Sequence, residues 1–350
     1  MTLVAFLRHL LFVVGLAGVS ALVVRATIDA RVMDRPNARS AHTRPTPKGG
    51  GIGIVVAFML GIAVLYGFAD FSRIAEPYFR GIILAAFVIA VVSFVDDLRD
   101  WPFLVKLAAQ VLAAATAILS GLTVSEVRVP FWGAVELGWV GPVATLCWIL
   151  FATNAMNFID GLNGLAAGVT LVACVFLAAI AQSQAGWFVY FASMVLAAGV
   201  VGFLPYNFPR ARIFMGDVGS QFCGFVLAML GVAAARFGRV EMSLLLVPML
   251  LHGVLFDVAF TLARRLVNGD RITQAHRGHL YQIAHRSGID ARWIAMLHWA
   301  FAGLGGLVSI AFVASPPFLK PALPLLLLFP QMLWLAYVLL RSRRAEIGAW

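Results

Sequence analysis

The stretch GLAAGVTLVACVFLAAIA, residues 164–181, runs for eighteen residues without one charged or amide side chain. A helix needs roughly 20 predominantly apolar residues to cross a bilayer. Over the whole chain 62% of residues are apolar and only 12% are charged, about half the charged share of a soluble domain. These values exclude a large soluble core and predict an integral membrane protein.

Similar apolar stretches recur along the chain and predict about eleven transmembrane helices. They lie near residues 3–24, 50–68, 80–95, 104–120, 142–156, 164–181, 187–204, 220–236, 243–263, 293–313 and 321–340. We therefore predict an all-α integral membrane protein in which residues 1–350 form a single polytopic domain. The first stretch has no small-residue cleavage site ahead of Arg25, so we interpret it as a retained helix and not as a signal peptide.

The distribution of basic residues predicts the orientation. The formal net charge is +10. When successive loops are assigned to alternate sides, most Lys and Arg residues fall in the loops of one side, at about 25–49, 96–103, 157–163, 205–219 and 264–292. Short loops rich in Lys and Arg stay in the cytoplasm, so we predict an outer N-terminus and a cytoplasmic C-terminus. Topology and anionic lipid explain the positive charge, and we therefore expect no nucleic acid partner.

The longest loop on the predicted outer side reads LTVSEVRVPFWGAVELGW, residues 122–139. Apolar and polar residues alternate on both sides of a turn between Pro130 and Gly133. This pattern is typical of a β-hairpin. We predict a small extracytoplasmic hairpin with a structural role.

The first polar cluster on the cytoplasmic side is SFVDDLRD, residues 93–100. Asp96 and Asp97 are adjacent, so on a helix their side chains point about 100° apart and can face different ligands. Two carboxylates this close repel each other unless a cation neutralises them. The pair predicts a cation site, although a helix-end charge cluster would have the same sequence.

The second cluster is NAMNFIDGLNGLAAG, residues 154–168. Asn154, Asn157 and Asp160 recur every three residues, which predicts one polar face at a helix end. Gly161 and Gly164 then open a turn before the next span. Amide and carboxylate oxygens beside free backbone N–H groups suit a hydroxylated or phosphorylated ligand.

The third and fourth clusters are PYNFPRARIFMGDVGSQFCG, residues 205–224, and HRGHLYQIAHRSG within the loop 264–292. Asp217 precedes a span among small residues that let a ligand approach the backbone. His276, Arg277 and His279 suit a diphosphate, because Arg makes bidentate contacts to phosphate oxygens. Zinc is the competing interpretation, but no Cys is near and the carboxylates favour a hard cation.

Three further charged residues have open interpretations. Asp257 lies within a predicted span, where an acid is a functional candidate by default. It could also pair with Arg264 or cap a helix break. Arg44 and Lys48 precede the second span, where they could contact a lipid phosphate, but positive-inside topology alone would place them there.

VDDLRD, NAMNFIDGLNGLAAG, FMGDVGS and the HRGH loop together resemble the polyprenyl-phosphate N-acetylhexosamine-1-phosphate transferase family, also called the glycosyltransferase 4 family. The resemblance runs from about residue 36 to about residue 290. It implies a Mg-dependent enzyme, with Mn²⁺ as a substitute, that moves a sugar-1-phosphate from a UDP-N-acetylhexosamine to undecaprenyl phosphate and releases UMP. It also implies a multi-pass protein of the bacterial inner membrane with a cytoplasmic active site, and a homodimer as in some relatives.

The resemblance also assigns roles to residues. It implies that Asp217 binds Mg²⁺ with Asp97 beside the metal, and that Asp96 contacts the lipid phosphate as a base or as a positioning group. The nucleotide-sugar face would comprise Asn154, Asn157 and Asp160. The uridine positions would be Gly161, Leu162, Asn163, Asn207 and Phe214. His276, Arg277 and His279 would lie near the diphosphate and the sugar, and Lys48 and Arg44 near the lipid phosphate.

Two departures favour one branch of the family. Peptidoglycan translocases usually have Asp at the position of Asn163, and adjacent histidines where this chain has His276-Arg277-Gly278-His279. The chain is therefore closer to the enzymes that begin O-antigen or related polysaccharides. The phospho-MurNAc-pentapeptide translocase is the alternative. A polytopic transporter is the alternative from another class, but transporters place polar residues near the midplane and contain repeats.

Overall fold

A computed structural model gives the fold. It describes residues 3–34, 45–68, 77–99, 101–129, 133–236, 243–271 and 276–347. The helices are α1 (Leu3–Ala30), α2 (Gly51–Phe68), α3 (Pro77–Arg99), α4 (Phe103–Leu119), α5 (Val140–Ile159), α6 (Leu165–Ser183), α7 (Trp187–Asn207), α8 (Asp217–Arg236), α9 (Leu246–Leu250), α10 (His252–Val267), α11 (Leu280–Arg286), α12 (Ala291–Ala314), α13 (Ala322–Leu326) and α14 (Leu328–Arg344). The strands are β1 (Met33–Asp34), β2 (Thr46–Pro47), β3 (Glu126–Val129) and β4 (Gly133–Glu136).

Eight of the described helical segments are long and apolar enough to cross a membrane. They are α1, α3, α5, α6, α7, α8, α12 and the segment α13–α14, whereas α2 and α4 are shorter apolar helices. The prediction of an all-α, multi-pass membrane protein is therefore confirmed. The predicted stretch 243–263 consists of two helices, α9 and α10, that meet at Leu251. The number of eleven spans and the loop boundaries remain predictions.

Two pairs of short strands accompany the helices. β3 and β4 pair antiparallel within the stretch 122–139, with Glu126 opposite Glu136, and residues 130–132 between them lie outside the described part of the chain. Which side of the membrane they occupy remains a prediction. β1 and β2 also pair antiparallel, with Asp34 opposite Thr46. This second pair was not predicted, and it brings Asp34 and Lys48 to the start of α2.

Helix α8 forms the centre of the bundle. In its apolar segment 94% of residues are buried, compared with 17% in α1, whose exposed leucines and valines are suited to contact with lipid. α8 packs against α2, α3, α5 and α7. Because Asp217 is the first residue of α8, it is held by the most enclosed of the eight candidate spans in the described part of the chain.

Small residues allow α2 to pack closely on α8. A Cβ atom on Gly51 would lie 2.2 Å from the Cα atom of Gly219. At the same place the backbone N–H of Gly51 donates to the carbonyl oxygen of Met215 at 2.8 Å. Such glycine contacts are typical of helix pairs in membranes, where backbones approach when side chains are absent.

We expect Gly51→Ala to destabilise the protein by about 1–3 kcal/mol, because the added methyl group overlaps the backbone of α8. The matched control is Gly67→Ala in the same helix, where nothing lies within 4 Å of the added Cβ. Thermal unfolding in detergent measures both effects. Equal melting temperatures for the two variants would contradict this account of the α2–α8 contact.

Candidate active site

A cavity of about 680 Å³ opens where the C-terminal ends of α3 and α5 meet the N-terminal end of α8, beside α11. Most of the predicted site residues line it. Its lining comprises Asp34, Lys48, Asp96, Asp97, Lys106, Asn157, Asp160, Gly161, Leu162, Asn163, Asn207, Phe214, Met215, Gly216, Asp217, Arg277, Tyr281, Gln282, His285, Arg286 and Ala291. Asn154, His276 and His279 are not part of this lining, and Arg44 lies outside the described residues.

Lys106 joins two of the carboxylates. Its Nζ lies 2.5 Å from Oδ2 of Asp96 and 3.1 Å from Oδ2 of Asp217. Asp96 is buried, and its Oδ1 accepts the backbone N–H of Trp101 at 2.8 Å. Sequence analysis did not single out Lys106. A lysine in a stretch predicted to be apolar was the available signal, because ionisable residues there mark functional sites.

Asp97 faces a different partner from Asp96. Its two carboxylate oxygens accept the backbone N–H groups of Asp217 and Val218 at 3.2 and 3.0 Å. Asp97 therefore caps the N-terminus of α8, where a negative charge is stabilised by the free N–H groups and by the helix dipole. Gly216, with φ of 75°, approaches so closely that a Cβ there would lie 2.6 Å from Oδ2 of Asp97.

Three side chains hold the carboxylate of Asp217. Oδ1 accepts from Nδ2 of Asn157 at 3.0 Å, while Oδ2 accepts from Nε2 of Gln221 at 3.0 Å and from Lys106. Asn157 also donates to the hydroxyl of Ser220 at 3.0 Å. The donors come from α4, α5 and α8 itself, so the orientation of Asp217 depends on the packing of three helices.

Asn154 lies behind the cavity instead of on its surface. Its Nδ2 donates to Oε1 of Gln110 at 2.7 Å and to the carbonyl oxygen of Leu150 at 2.8 Å. Residues three apart on a helix are offset by about 60°, so a three-residue repeat does not keep one face. Asn157 consequently reaches the cavity, whereas Asn154 points between α4 and α5.

Asp160 and Gly161 follow α5 on the cavity wall. Burial raises the pKa of the Asp160 carboxyl well above its usual range, and the nearby carboxylates of Asp217 and Asp97 raise it further. A Cβ on Gly161 would lie 2.2 Å from the hydroxyl of Tyr281, which donates to the carbonyl oxygen of Phe158 at 2.9 Å. Tyr281 thereby ties α11 to the end of α5.

Asn207 stabilises the loop that carries the predicted uridine positions. Its Oδ1 accepts the backbone N–H of Gly164 at 2.6 Å, and its Nδ2 donates to the carbonyl oxygen of Ile213 at 2.9 Å. Its carboxamide is thus engaged in holding two backbone segments together, although the residue lines the cavity. Asn163 and Phe214 also line the cavity, and the side chain of Asn163 lies 3.5 Å from the carbonyl oxygen of Pro209.

Asp257 anchors the loop that contains the HRGH sequence. The buried carboxylate lies 3.1 Å from Nδ1 of His279 and accepts the backbone N–H groups of Leu280 and Tyr281 at 2.9 and 3.0 Å. It therefore caps α11, a helix more than twenty residues further along the chain. Arg264, the partner considered in the sequence, instead donates to the carbonyl oxygen of Gly278 at 3.1 Å.

The two histidines support the loop from behind. The rings of His276 and His279 stack with centroids 4.9 Å apart. Burial, and then the neighbouring His279, Arg265 and Arg264, lower the pKa of His276 to about 4. His276 is consequently neutral at pH 7.

The same loop presents other side chains to the cavity. These are Arg277, Tyr281, Gln282, His285 and Arg286. Arg286 is held close to Arg277 by a hydrogen bond from Nη1 to the Arg277 carbonyl oxygen at 3.4 Å. The cavity thus has carboxylates around the start of α8 and guanidinium groups on the side of α11. Sequence analysis did not single out Tyr281 and Gln282, whose roles depend on the position of α11.

Within the described residues, no group of three or more His, Cys, Asp or Glu side chains is arranged to hold a metal by itself. The carboxylates Asp96, Asp97, Asp160 and Asp217 nevertheless share one cavity with the amide of Asn157. All these groups offer oxygen donors, and Mg²⁺ is commonly bound by one or two carboxylates together with phosphate oxygens and water. The chemistry of the donor set is therefore compatible with Mg²⁺.

Comparison with known proteins identifies the family. The profile described as "Glycosyl transferase family 4" matches residues 79–235, which include most of α3, helices α4 to α7 and nearly all of α8. The "Probable undecaprenyl-phosphate N-acetylglucosaminyl 1-phosphate transferase" of Bacillus subtilis (strain 168) is 31% identical over 328 residues, covering 93% of this chain and 87% of that protein.

Two other relatives extend the comparison. The "Decaprenyl-phosphate N-acetylglucosaminephosphotransferase" of Mycobacterium leprae (strain TN) is 29% identical over 335 residues, covering 89% of this chain and 81% of that protein. A "Phospho-N-acetylmuramoyl-pentapeptide-transferase" of Acetivibrio thermocellus is 33% identical over only 202 residues, or 53% of this chain and 59% of that protein. The similarity to N-acetylglucosamine phosphotransferases covers nearly the whole chain, and the chain belongs to glycosyl transferase family 4.

Proposed function

We propose that this protein transfers an N-acetylhexosamine-1-phosphate from a UDP-sugar to undecaprenyl phosphate and releases UMP, as the first membrane step of a cell-surface polysaccharide. The relatives named above carry N-acetylglucosamine in their names, so N-acetylglucosamine is the first candidate sugar. The observation that carries the proposal is the cavity in which Asp217 and its neighbours face Arg277 and Arg286. A UDP-sugar diphosphate needs cations on its oxygens, and its transfer needs charge compensation at the leaving group.

Mg²⁺ is the cation that we assign to the carboxylate end of this cavity. Asp217 would hold it, with Asp97 beside it. Four carboxyl groups, Asp96, Asp97, Asp160 and Asp217, line the cavity together with Lys48 and Lys106. Burial and the neighbouring carboxylates raise the pKa of Asp160, and a divalent cation would favour the ionised form of such a cluster. When bound, Mg²⁺ would withdraw charge from the diphosphate and favour departure of UMP.

The acceptor needs little activation by the protein. A phosphate monoester has a second pKa near 6, so the lipid phosphate is largely ionised at neutral pH. An oxygen of that phosphate attacks the β-phosphorus of the UDP-sugar, a new P–O bond forms, and the bond to the bridging oxygen breaks to release UMP. Asp96 is buried and paired with Lys106. This arrangement suits a role for Asp96 in positioning the Lys106 ammonium group more than a role as the base that removes a proton from the lipid phosphate.

Arg277 and Arg286 are the groups that we assign to the diphosphate. A guanidinium group donates two parallel hydrogen bonds to phosphate oxygens and stays charged at every physiological pH. Gly161, Leu162 and Asn163 line the same cavity, and the uridine would lie against them. The sugar would then occupy the space near Tyr281 and Gln282.

We place the cavity on the cytoplasmic side of a bacterial inner membrane, with the N-terminus outside. The loops around the cavity contain most of the basic residues, as the positive-inside rule requires of cytoplasmic loops. A lipid acceptor keeps its tail in the bilayer and its phosphate at the surface. A site at the ends of α3, α5 and α8 suits such an acceptor.

The transporter alternative is less favoured because the charged lining gathers at one end of the bundle instead of near its middle. The peptidoglycan translocase alternative is less favoured because its relative matches only 53% of the chain. The test is an assay of the purified protein in detergent with undecaprenyl phosphate, Mg²⁺ and a panel of UDP-sugars that includes UDP-MurNAc-pentapeptide. Release of UMP with UDP-GlcNAc or a related UDP-N-acetylhexosamine is expected. No UMP release with any UDP-N-acetylhexosamine by folded protein would refute the proposal.

Removal of divalent cations is expected to abolish UMP release, because the diphosphate would lose its charge compensation. Addition of Mg²⁺ or Mn²⁺ in excess over the chelator should restore it, whereas Zn²⁺ should not, since the cavity offers oxygen donors and no thiolate. Thermal unfolding measured in parallel controls for loss of folded protein. Full activity in EDTA would exclude the assigned metal.

A further inference from the structure

Three carboxamides, of which Gln110 and Gln221 are buried, form a chain behind Asp217. Gln221 donates from Nε2 to Oδ2 of Asp217 at 3.0 Å, and Gln110 donates from Nε2 to Oε1 of Gln221 at 2.9 Å. Asn154 then donates from Nδ2 to Oε1 of Gln110 at 2.7 Å. Gln110 and Gln221 are 3% and 4% exposed, and neither Gln110, Gln221 nor Asn154 lines the cavity. The chain therefore reaches Asp217 from residues that lie outside the cavity lining.

The hydrogen bonds at both ends of the chain fix which way each amide turns its NH₂ group and its oxygen. An ionised Asp217 can only accept, so Gln221 must turn its NH₂ group toward it and its oxygen toward Gln110. The carbonyl oxygen of Leu150 can also only accept, so Asn154 must turn its NH₂ group toward it. Gln110 lies between these two amides, and both of its NH₂ hydrogens have acceptors, because Nε2 also lies 3.3 Å from Oδ1 of Asn154.

We infer that Gln110 is a positioning residue of the transfer reaction, acting through Gln221 to hold the carboxylate of Asp217 in its working orientation. The inference rests on the proposed function, in which Asp217 supports the departure of UMP. Gln110 touches neither the cavity nor Asp217 directly. Its role follows from the chain, because without it the oxygen of Gln221 has no donor among the described residues, and the amide of Gln221 is no longer held in place against the carboxylate of Asp217.

The test compares identical substitutions at two buried glutamines. Gln110→Leu removes the middle of the chain. Gln331→Leu is the matched control, since Gln331 in α14 is 1% exposed, and its two side-chain polar atoms have no hydrogen-bond partner among the described residues. We expect Gln110→Leu to lower kcat at least about tenfold with a change in KM for UDP-GlcNAc of less than about twofold, because small misplacements of catalytic groups act on the transition state. Gln331→Leu should leave both constants unchanged.

A double-mutant cycle separates positioning from a general structural role. If both glutamines act through one chain, Gln110→Leu should have little further effect on kcat or on the melting temperature in a Gln221→Leu background. The inference would be overturned if the fold-losses of kcat in the two single variants multiply in the double variant. It would also be overturned if their losses in melting temperature add. Equal losses of kcat in Gln110→Leu and Gln331→Leu would overturn it as well.

The wild-type protein in the same assay keeps the two proposals apart. Its release of UMP tests the proposed function, while the ratios between variants test the chain. If the wild type does not release UMP, the cycle of melting temperatures still decides whether Gln110 and Gln221 are coupled. An additive cycle would then overturn the chain independently of the reaction.

Discussion

Asp217→Asn is expected to lower kcat for UMP release by at least about 10³-fold while the protein stays folded. The asparagine keeps the size of the side chain and removes its negative charge, and with it the group that we assign to Mg²⁺. Stabilisation by a metal contributes several kcal/mol to such transition states, and each 1.36 kcal/mol corresponds to a factor of ten in rate. Steady-state kinetics in detergent at saturating Mg²⁺ and UDP-GlcNAc measure the effect.

The control for this prediction is Glu136→Gln, which makes the same change of charge on the exposed strand β4. It should leave kcat unchanged. The melting temperature of Asp217→Asn should fall only modestly, because the single oxygen of asparagine still accepts from either Asn157 or Gln221, and only the other of these two hydrogen bonds is lost. Residual activity within tenfold of the wild type would show that Asp217 does not support the leaving group.

Asp257→Ala is expected to release α11 from the cavity and to abolish activity together with part of the stability. The substitution removes four acceptor contacts at once, to Thr261, His279, Leu280 and Tyr281, all of them buried. A buried donor that loses its acceptor destabilises a protein by about 1–3 kcal/mol. Without its cap, α11 should no longer hold Tyr281 against the end of α5.

Two measurements follow this change. Thermal unfolding reports the loss of stability, and limited digestion with trypsin reports exposure of the backbone after Arg277 and Arg286. The matched control is Asp290→Ala at the N-terminus of α12, where an exposed Asp290 is paired with Arg292 at 2.7 Å and the pKa of Asp290 is lowered to about 2 by that pairing. Exposed pairs contribute little, so this control should keep its activity. Equal trypsin sensitivity in the two variants would contradict the anchoring role.

The membrane fold could be predicted because each spanning helix is one continuous apolar stretch of sequence, and its hydropathy does not depend on distant residues. Nothing comparable marks the break at Leu251, since α9 and α10 form one continuous apolar stretch in the sequence. The short β1–β2 pair was likewise invisible, because two-residue strands have no period to detect. Such features depend on packing against distant parts of the chain.

The candidate site was predictable where carboxylates are adjacent in the sequence, as at Asp96 and Asp97, or where an acid stands among small residues, as at Asp217. It was not predictable where function depends on contacts between helices. Lys106 stands alone in its sequence, yet it joins Asp96 to Asp217. Asn154 has the same residue type as Asn157 but lies one turn deeper, where it bonds to Gln110. The partner of Asp257 likewise became clear only when α11 was placed beside α10.

The bridge made by Lys106 has a consequence for biogenesis. Membrane helices are synthesised and inserted in order from the N-terminus, and a buried charge is stabilised only once its partner has arrived. Lys106 follows Asp96 by ten residues, so the nascent α3–α4 pair carries its own neutralising contact from the start. Asp217 is made 111 residues after Lys106 and meets an ammonium group already in place. Lys106 is thus synthesised before Asp217. Its ammonium group is available as a counter-charge when Asp217 enters the assembling bundle.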